Sequence, residues 1–391
     1  MESFFSDQLN ELKALRHDFH RNPELGFKEE RTASKVKEIL TTLGFPFVSG
    51  LGVTGIVATV EGALPDNGKR VGLRADMDAL PMYEKSNHDH CSENLGCMHA
   101  CGHDGHTTIL LAVAKYLAEN RDFSGIIYLI FQPAEERGGG GREMVKDGLF
   151  ERFPMDAIFG LHNWPYIDAG KIAVLDGPAM SSVDILELEI KGVGGHGGTP
   201  HLTKDPIRIA GTLIPALHSI VSREIDPKEP AVLSLCSIQA GQLSAFNVIP
   251  DTAQLSGTVR TFSKVVQDRI QESVERISAG IAASFGAEIK VDYQRIFPAT
   301  VNDVEKAQFV RDTIKAIFPQ GTLDETVKPS MAGEDFSFML NACPGAYIFL
   351  GSGKGVNSEP LHSPFFDFND DVIPIGGKLL VSIALRALND N

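Results

Sequence analysis

Val183-Asp184-Ile185-Leu186-Glu187-Leu188-Glu189-Ile190-Lys191-Gly192 alternates apolar and charged residues with a period of two. That is the pattern of a strand with one buried and one wetted face. The segments C-terminal to this strand set the domain plan. Asp205-Pro206 opens a helix over 206–222, the aspartate as N-cap and the proline at the first helical position. Strands then read at 231–240 and 252–260, a helix at 264–285 and a strand at 288–295. The order β-α-β-β-α-β is that of a ferredoxin-like α+β domain, here spanning 183–297.

On either side the pattern is different. Leu9, Leu12, Leu15 and Phe19 mark one apolar face of a helix. After a break at Asn22-Pro23 a second helix runs over 32–40 and ends at Gly44. Strands at 54–60 and 70–74 are separated by the turn Pro65-Asp66-Asn67-Gly68, and helix 107–119 precedes a buried strand at 125–131. Such alternation predicts an α/β domain with a mostly parallel central sheet flanked by helices, its site at loops on the strand ends. The expected plan is a discontinuous domain made of 1–182 and 298–391, interrupted by the smaller domain at 183–297.

With 391 residues, 43% apolar and 22% charged, the chain can bury a sizeable core without disulfides. Its net charge of −15 and lack of basic runs argue against nucleic acid and anionic membranes as partners. Five scattered cysteines do not form a secreted disulfide framework. No basic, apolar leader opens the sequence, and no apolar stretch approaches the roughly 20 residues of a membrane span. The expected location is cytoplasmic.

The densest chemistry lies in Met98-His99-Ala100-Cys101-Gly102-His103-Asp104-Gly105-His106. A thiol and an imidazole two residues apart, on what reads as a glycine-rich loop, can face one metal. A structural zinc knot with Cys91 and Cys97, or a buried histidine network, explains the segment about as well. Gln132-Pro133-Ala134-Glu135-Glu136 ends an apolar strand. Adjacent carboxylates there suit a metal ligand beside a general base, or an ordinary acidic helix start. His162 and His362 each follow an apolar run; singly, such histidines are more often structural. One site gathering all of them is the economical reading. In the inserted domain, Gly192-Val193-Gly194-Gly195-His196-Gly197-Gly198 matches a dinucleotide-binding pattern, yet no helix opens behind it and no acidic residue sits about 20 positions on. A histidine on a flexible loop there better fits an oxyanion donor.

These motifs resemble the metal-dependent aminoacylase/carboxypeptidase clan, in its hippurate hydrolase and auxin-conjugate hydrolase branch. The similar segments include RHDFHRNPELG at 16–26, RADMDALP at 74–81, MHACGHDGHT at 98–107, QPAEE at 132–136, NVIPD at 247–251 and GEDF at 333–336. The resemblance implies two divalent ions (Zn, Mn, Ni or Co) held by Cys101, His103, Glu136, His162 and His362, with the Cys101 thiolate bridging. It implies Glu135 as general base, His196 reaching the active site of a partner subunit, and Asn247 and Arg260 on the substrate carboxylate. Asp76 and Asp78 are read as groups orienting ligand imidazoles. The implied reaction is hydrolysis of N-acyl-amino acids by a homodimer or higher homo-oligomer whose inserted domain is lid and dimer contact. The alternatives are a metallo-carboxypeptidase or dipeptidase, and a metal-binding scaffold without catalysis.

Overall fold

The computed structural model describes residues 1–353, 355 and 358–389. The chain divides into two compact units, one of Met1–Ala179, Thr300–Pro329 and Asp335–Asn391, the other of Met180–Ala299 and Ser330–Glu334.

The larger unit is built on a seven-stranded sheet. At its centre Arg70–Asp76 pairs in parallel with both Ile126–Gln132 and Ala157–Asp168, and the latter pairs in parallel with Gly345–Gly353. The outer pairings are antiparallel: Phe47–Leu51 on Gly55–Glu61, Gly55–Glu61 on Ile126–Gln132, and Ile172–Ala173 on Gly345–Gly353. The sheet is therefore parallel in the middle and antiparallel at its edges. The two strands flanking the turn at 65–68 are not neighbours, because Ile126–Gln132 lies between them.

Central strands such as IIYLIFQ are buried on both faces, as a parallel strand between helical layers must be. Helix His103–Glu119 is apolar almost all round through Thr107–Ala114 and lies wholly in the core over that stretch. The register Asp76↔Gln132 and Arg74↔Gly160 brings the carboxyl ends of three strands to one edge of the sheet. That edge is where chain crossovers leave room for a site.

The smaller unit has a four-stranded antiparallel sheet in the order Ala231–Ala240, Thr252–Thr261, Val183–Lys191, Glu288–Phe297. This is the ferredoxin-like order. Leu186, Leu188 and Ile190 face the helices Pro206–Glu224 and Lys264–Phe285, packing with Ile209, Leu213, Leu217, Ile270 and Val274. Asp205 caps the first helix by accepting the Ile207 N–H at 2.9 Å. The segment Ser330–Glu334 belongs here although it is remote in sequence: the Ser330 and Ala332 carbonyls accept the Ser181 N–H. Among the described residues, no helix is long and apolar enough to cross a membrane.

Candidate metal centre

The Cys/His motif is a helix start rather than a loop. Helix His103–Glu119 begins at His103, four residues earlier than the sequence periodicity indicates, so His103 and His106 share its first turn. Gly102 caps it with φ +94°, and a Cβ there would stand 2.1 Å from Asn163 Oδ1. Only glycine fits both demands. Polar residues hid this turn, because their partners come from other strands.

Three side chains converge from separate elements. Cys101 Sγ lies 3.3 Å from His162 Nε2, on strand Ala157–Asp168. His162 Nδ1 donates to the Asn163 carbonyl at 2.7 Å, which leaves the Nε2 lone pair facing the thiol. Across the cluster, His362 Nε2 stands 3.2 Å from Glu136 Oε1. His362 has φ +65°, a sparsely populated conformation for a side chain, and its N–H donates to the Ala100 carbonyl at 2.8 Å. The polar loop leading to it includes residues 354, 356 and 357, which lie outside the described residues.

The strand ending in Gln132 delivers the two glutamates. Ala134, at φ +50°, reverses the chain, and a turn rather than a helix start comes next. The Glu135 and Glu136 N–H groups each donate to a different oxygen of Asp78 at 3.0 Å. The Ala134 N–H donates to Glu29 Oε1 at 2.8 Å. The Asp335 N–H donates to Glu135 Oε1 at 3.4 Å.

The resulting donor sets are compact. Cys101, His103 and His162 present ligand atoms within 4.8 Å of one another, as do Cys101, Glu136 and His362, and His103, Glu135 and Glu136. All five ligands expected from the resemblance, with Glu135, thus meet in one cluster of the larger unit.

Its electrostatics fit cations. Burial, with the charges of Glu136, Glu135 and Asp76, pushes the Cys101 thiol well above its usual range. Burial would lower His103, but Asp76, Asp78 and Glu136 outweigh it and raise the group to about 10. His162, in contrast, is held well below the usual imidazole range by burial and by His106. So many buried carboxylates require compensating positive charge. His103 Nε2 is buried with no hydrogen-bond partner among the described residues, which suits a ligand atom. A soft thiol, imidazoles and carboxylates together match borderline divalent ions such as zinc.

Asp78 and Asp76 divide the orienting work. Asp78 Oδ1 sits 3.2 Å from His103 Nδ1, whereas Asp76 Oδ1 holds His106 Nδ1 at 2.6 Å. His106 Nε2 in turn accepts the Asn163 N–H at 3.0 Å, so both its nitrogens are engaged. Sequence reasoning missed Asn163, and also Arg74, which donates to Asp76 and Gln132 at 2.8 Å each. The signal available was a charged residue, Arg74, set inside an apolar strand.

His196, Asn247 and Arg260 belong to the smaller unit. His196 is not on a free loop: Gly195–His196 pairs with Val248–Ile249 as a short antiparallel ribbon. The Gly197 N–H donates to the Asn247 carbonyl at 2.7 Å, and the Gly198 N–H to His196 Nδ1 at 2.9 Å. The ribbon therefore brings His196 and Asn247 together. Arg260 Nη1 is buried and has no hydrogen-bond partner among the described residues.

The sequence model of peptidase family M20/M25/M40 matches residues 72–386. The chain belongs to this family. It is 41% identical to a hippurate hydrolase of Campylobacter jejuni over 382 residues, covering 98% of each chain. It is 36% identical to an N-acetylcysteine deacetylase of Bacillus subtilis, covering 96% of each. A crystal structure of a dinuclear metal-binding peptidase of the same family, from Bacillus subtilis, superposes with a TM-score of 0.85 at 32% identity, covering 99% of both chains.

Proposed function

We propose that this M20-family chain hydrolyses the amide bond of N-acyl-amino acids, releasing a carboxylate and a free amino acid. The observation that carries the reading is the cluster of Cys101, His103, Glu136, His162 and His362 around a buried Glu135. Relatives that act on hippurate and N-acetylcysteine support the substrate class. Two divalent ions, zinc, manganese, nickel or cobalt, would be held by those five ligands. Bound there, they supply positive charge that acidifies water toward neutral pH and polarises a carbonyl.

The chain's own groups do the rest. Glu135 takes a proton from the attacking water as its oxygen bonds to the acyl carbon. It then hands that proton to the amine nitrogen as the carbon–nitrogen bond breaks. Asp78 accepts the Glu135 N–H and keeps the carboxylate in place. Arg260, whose Nη1 has no hydrogen-bond partner among the described residues, would receive the substrate carboxylate together with Asn247. His196 would donate to the developing oxyanion.

We assign His196 to the site of a partner subunit in a homodimer. Strand Ala231–Ala240 supports this: it is a sheet edge of ten residues containing no charge and no proline. Monomeric proteins usually protect such edges.

The test is a panel of hippurate, N-acetyl amino acids and dipeptides, run with metal-loaded enzyme and with Glu135→Gln. The variant should lose about 10²–10⁴-fold in kcat on the N-acyl substrates. Near-normal turnover would remove Glu135 from the mechanism. Efficient cleavage of dipeptides but not N-acyl-amino acids would make the protein a dipeptidase instead.

A further inference from the structure

His88 and His90 take no part in the Cys101 centre. They lie on the loop that runs into the Cys101 segment. Their planes are 3° apart with centroids at 5.0 Å. His17, from helix Leu9–Arg21, also stacks on His90, at 3.9 Å and 20°. Asp367 faces both loop histidines, Oδ1 lying 2.9 Å from His90 Nε2 and Oδ2 3.9 Å from His88 Nε2. The three ligand atoms lie within 4.8 Å of one another. A cavity of ≈ 390 Å³ lies beside them, its wall including His88, Asp367, Asp370, Asp371 and Glu359.

His90 Nε2 lies between Arg16 and Asp367. Arg16 Nη2, which can only donate, is 3.3 Å away, and the Asp367 carboxylate, which can only accept, is 2.9 Å away. A protonated Nε2 donates to the Asp367 carboxylate. Arg16 does not need the imidazole, since Nε and Nη2 bind Asp370 at 2.7 and 3.2 Å and Nη1 binds Asp367 at 2.9 Å. A divalent cation can take the place of that Nε2 proton, bridging the Nε2 lone pair and Asp367. Ligand atoms bound to a tetrahedral ion at about 2.0–2.1 Å stand about 3.3 Å apart. Asp367 places one carboxylate oxygen near each ring, Oδ1 at 2.9 Å from His90 Nε2 and Oδ2 at 3.9 Å from His88 Nε2.

We propose that His88, His90 and Asp367 form a further divalent-cation site, sharing no residue with the Cys101 centre. Two imidazoles and a carboxylate select borderline ions such as Zn²⁺, Ni²⁺ or Cu²⁺ over Mg²⁺ or Ca²⁺. The cavity provides solvent for the remaining coordination position. Occupancy ties the loop at 82–97 to the segment around Asp367, where the Lys85 N–H already donates to the Pro364 carbonyl at 2.8 Å.

The experiment titrates Co²⁺, and separately Zn²⁺, into the full-length protein, comparing wild type with His88→Ala and His90→Ala. Bound metal is counted after gel filtration, and the Co²⁺ spectrum is recorded. Wild type should bind one equivalent more than either variant, or bind that equivalent at least tenfold tighter. This extra Co²⁺ should add visible d–d bands without sulfur-to-cobalt charge transfer, which belongs to the Cys101 centre. His90 is buried, so its variant can fail to fold; His88→Ala, altering a more exposed ring, then decides alone. Equal stoichiometry and affinity in wild type and His88→Ala overturns the site, as does an extra equivalent that brings charge transfer.

Discussion

Asp78 Oδ1 lies 3.2 Å from His103 Nδ1, and the same carboxylate receives the N–H groups of Glu135 and Glu136. One buried side chain thus aims an imidazole and anchors the turn that carries both glutamates. Asp78→Asn keeps the size but replaces one acceptor oxygen with a donor, which then opposes an N–H. Metal affinity or kcat should fall about 10–100-fold, as for comparable partners of metal ligands. Metal content and steady-state kinetics measure it; unchanged values for both would show that Asp78 does not act through the centre.

Gly102 cannot be replaced without strain. Alanine would place its Cβ against Asn163 Oδ1 while holding φ near +94°. Gly102→Ala should lose roughly 1–3 kcal/mol of stability. It should also weaken metal retention, because His103 and Cys101 flank the residue. Denaturant unfolding and metal analysis read the two effects separately.

Glu29 offers a pH test away from the ligands. Burial pushes its carboxyl up to about 7, against 4.5 ordinarily, despite the hydrogen bond from Thr54. Between those values the folded protein holds a proton that the unfolded chain has released. Stability therefore falls as pH rises from about 4.5 through 7, with the loss complete above 7. Glu29→Gln retains an oxygen for the Ala134 N–H and removes the titration. Relative to the variant, wild type should lose roughly 1–3 kcal/mol between pH 4.5 and 8 in urea unfolding. Parallel profiles would mean that Glu29 titrates normally.

The assignment of His196 to a partner's site has a direct complementation test. Glu135→Gln and His196→Ala should each be nearly inactive. Unfolded together and refolded as a 1:1 mixture, they should regain about a quarter of wild-type activity, since half the dimers are mixed and each mixed dimer holds one intact site. If His196 serves its own chain, mixing regains nothing.

Much of this protein is legible in its residues alone. The alternation in Val183–Lys191 and the capped helix after Asp205 identify a β-α-β-β-α-β unit, because strand and helix periods are local properties. The residue types in Cys101–His106 and Gln132–Glu136 suit metal chemistry, but a buried histidine network and an acidic helix start fit them as well. Local pattern leaves undecided which side chains meet. Cys101 alone fits a zinc knot as well as a catalytic centre; proximity to His162, 61 positions on, requires the sheet to close. The helix start at His103 is hidden because its polar first turn is satisfied by Asp76 and Asn163, on two strands, and by Asp78, just past the first of them. The sheet edges turn antiparallel for a similar reason: pairing partners are chosen by three-dimensional packing, and Ile126–Gln132 inserts between strands adjacent in sequence. Local pattern thus specified the elements and the chemical inventory. Folding selected the pairings, because burial, lone-pair direction and charge compensation exist only once remote residues share a space.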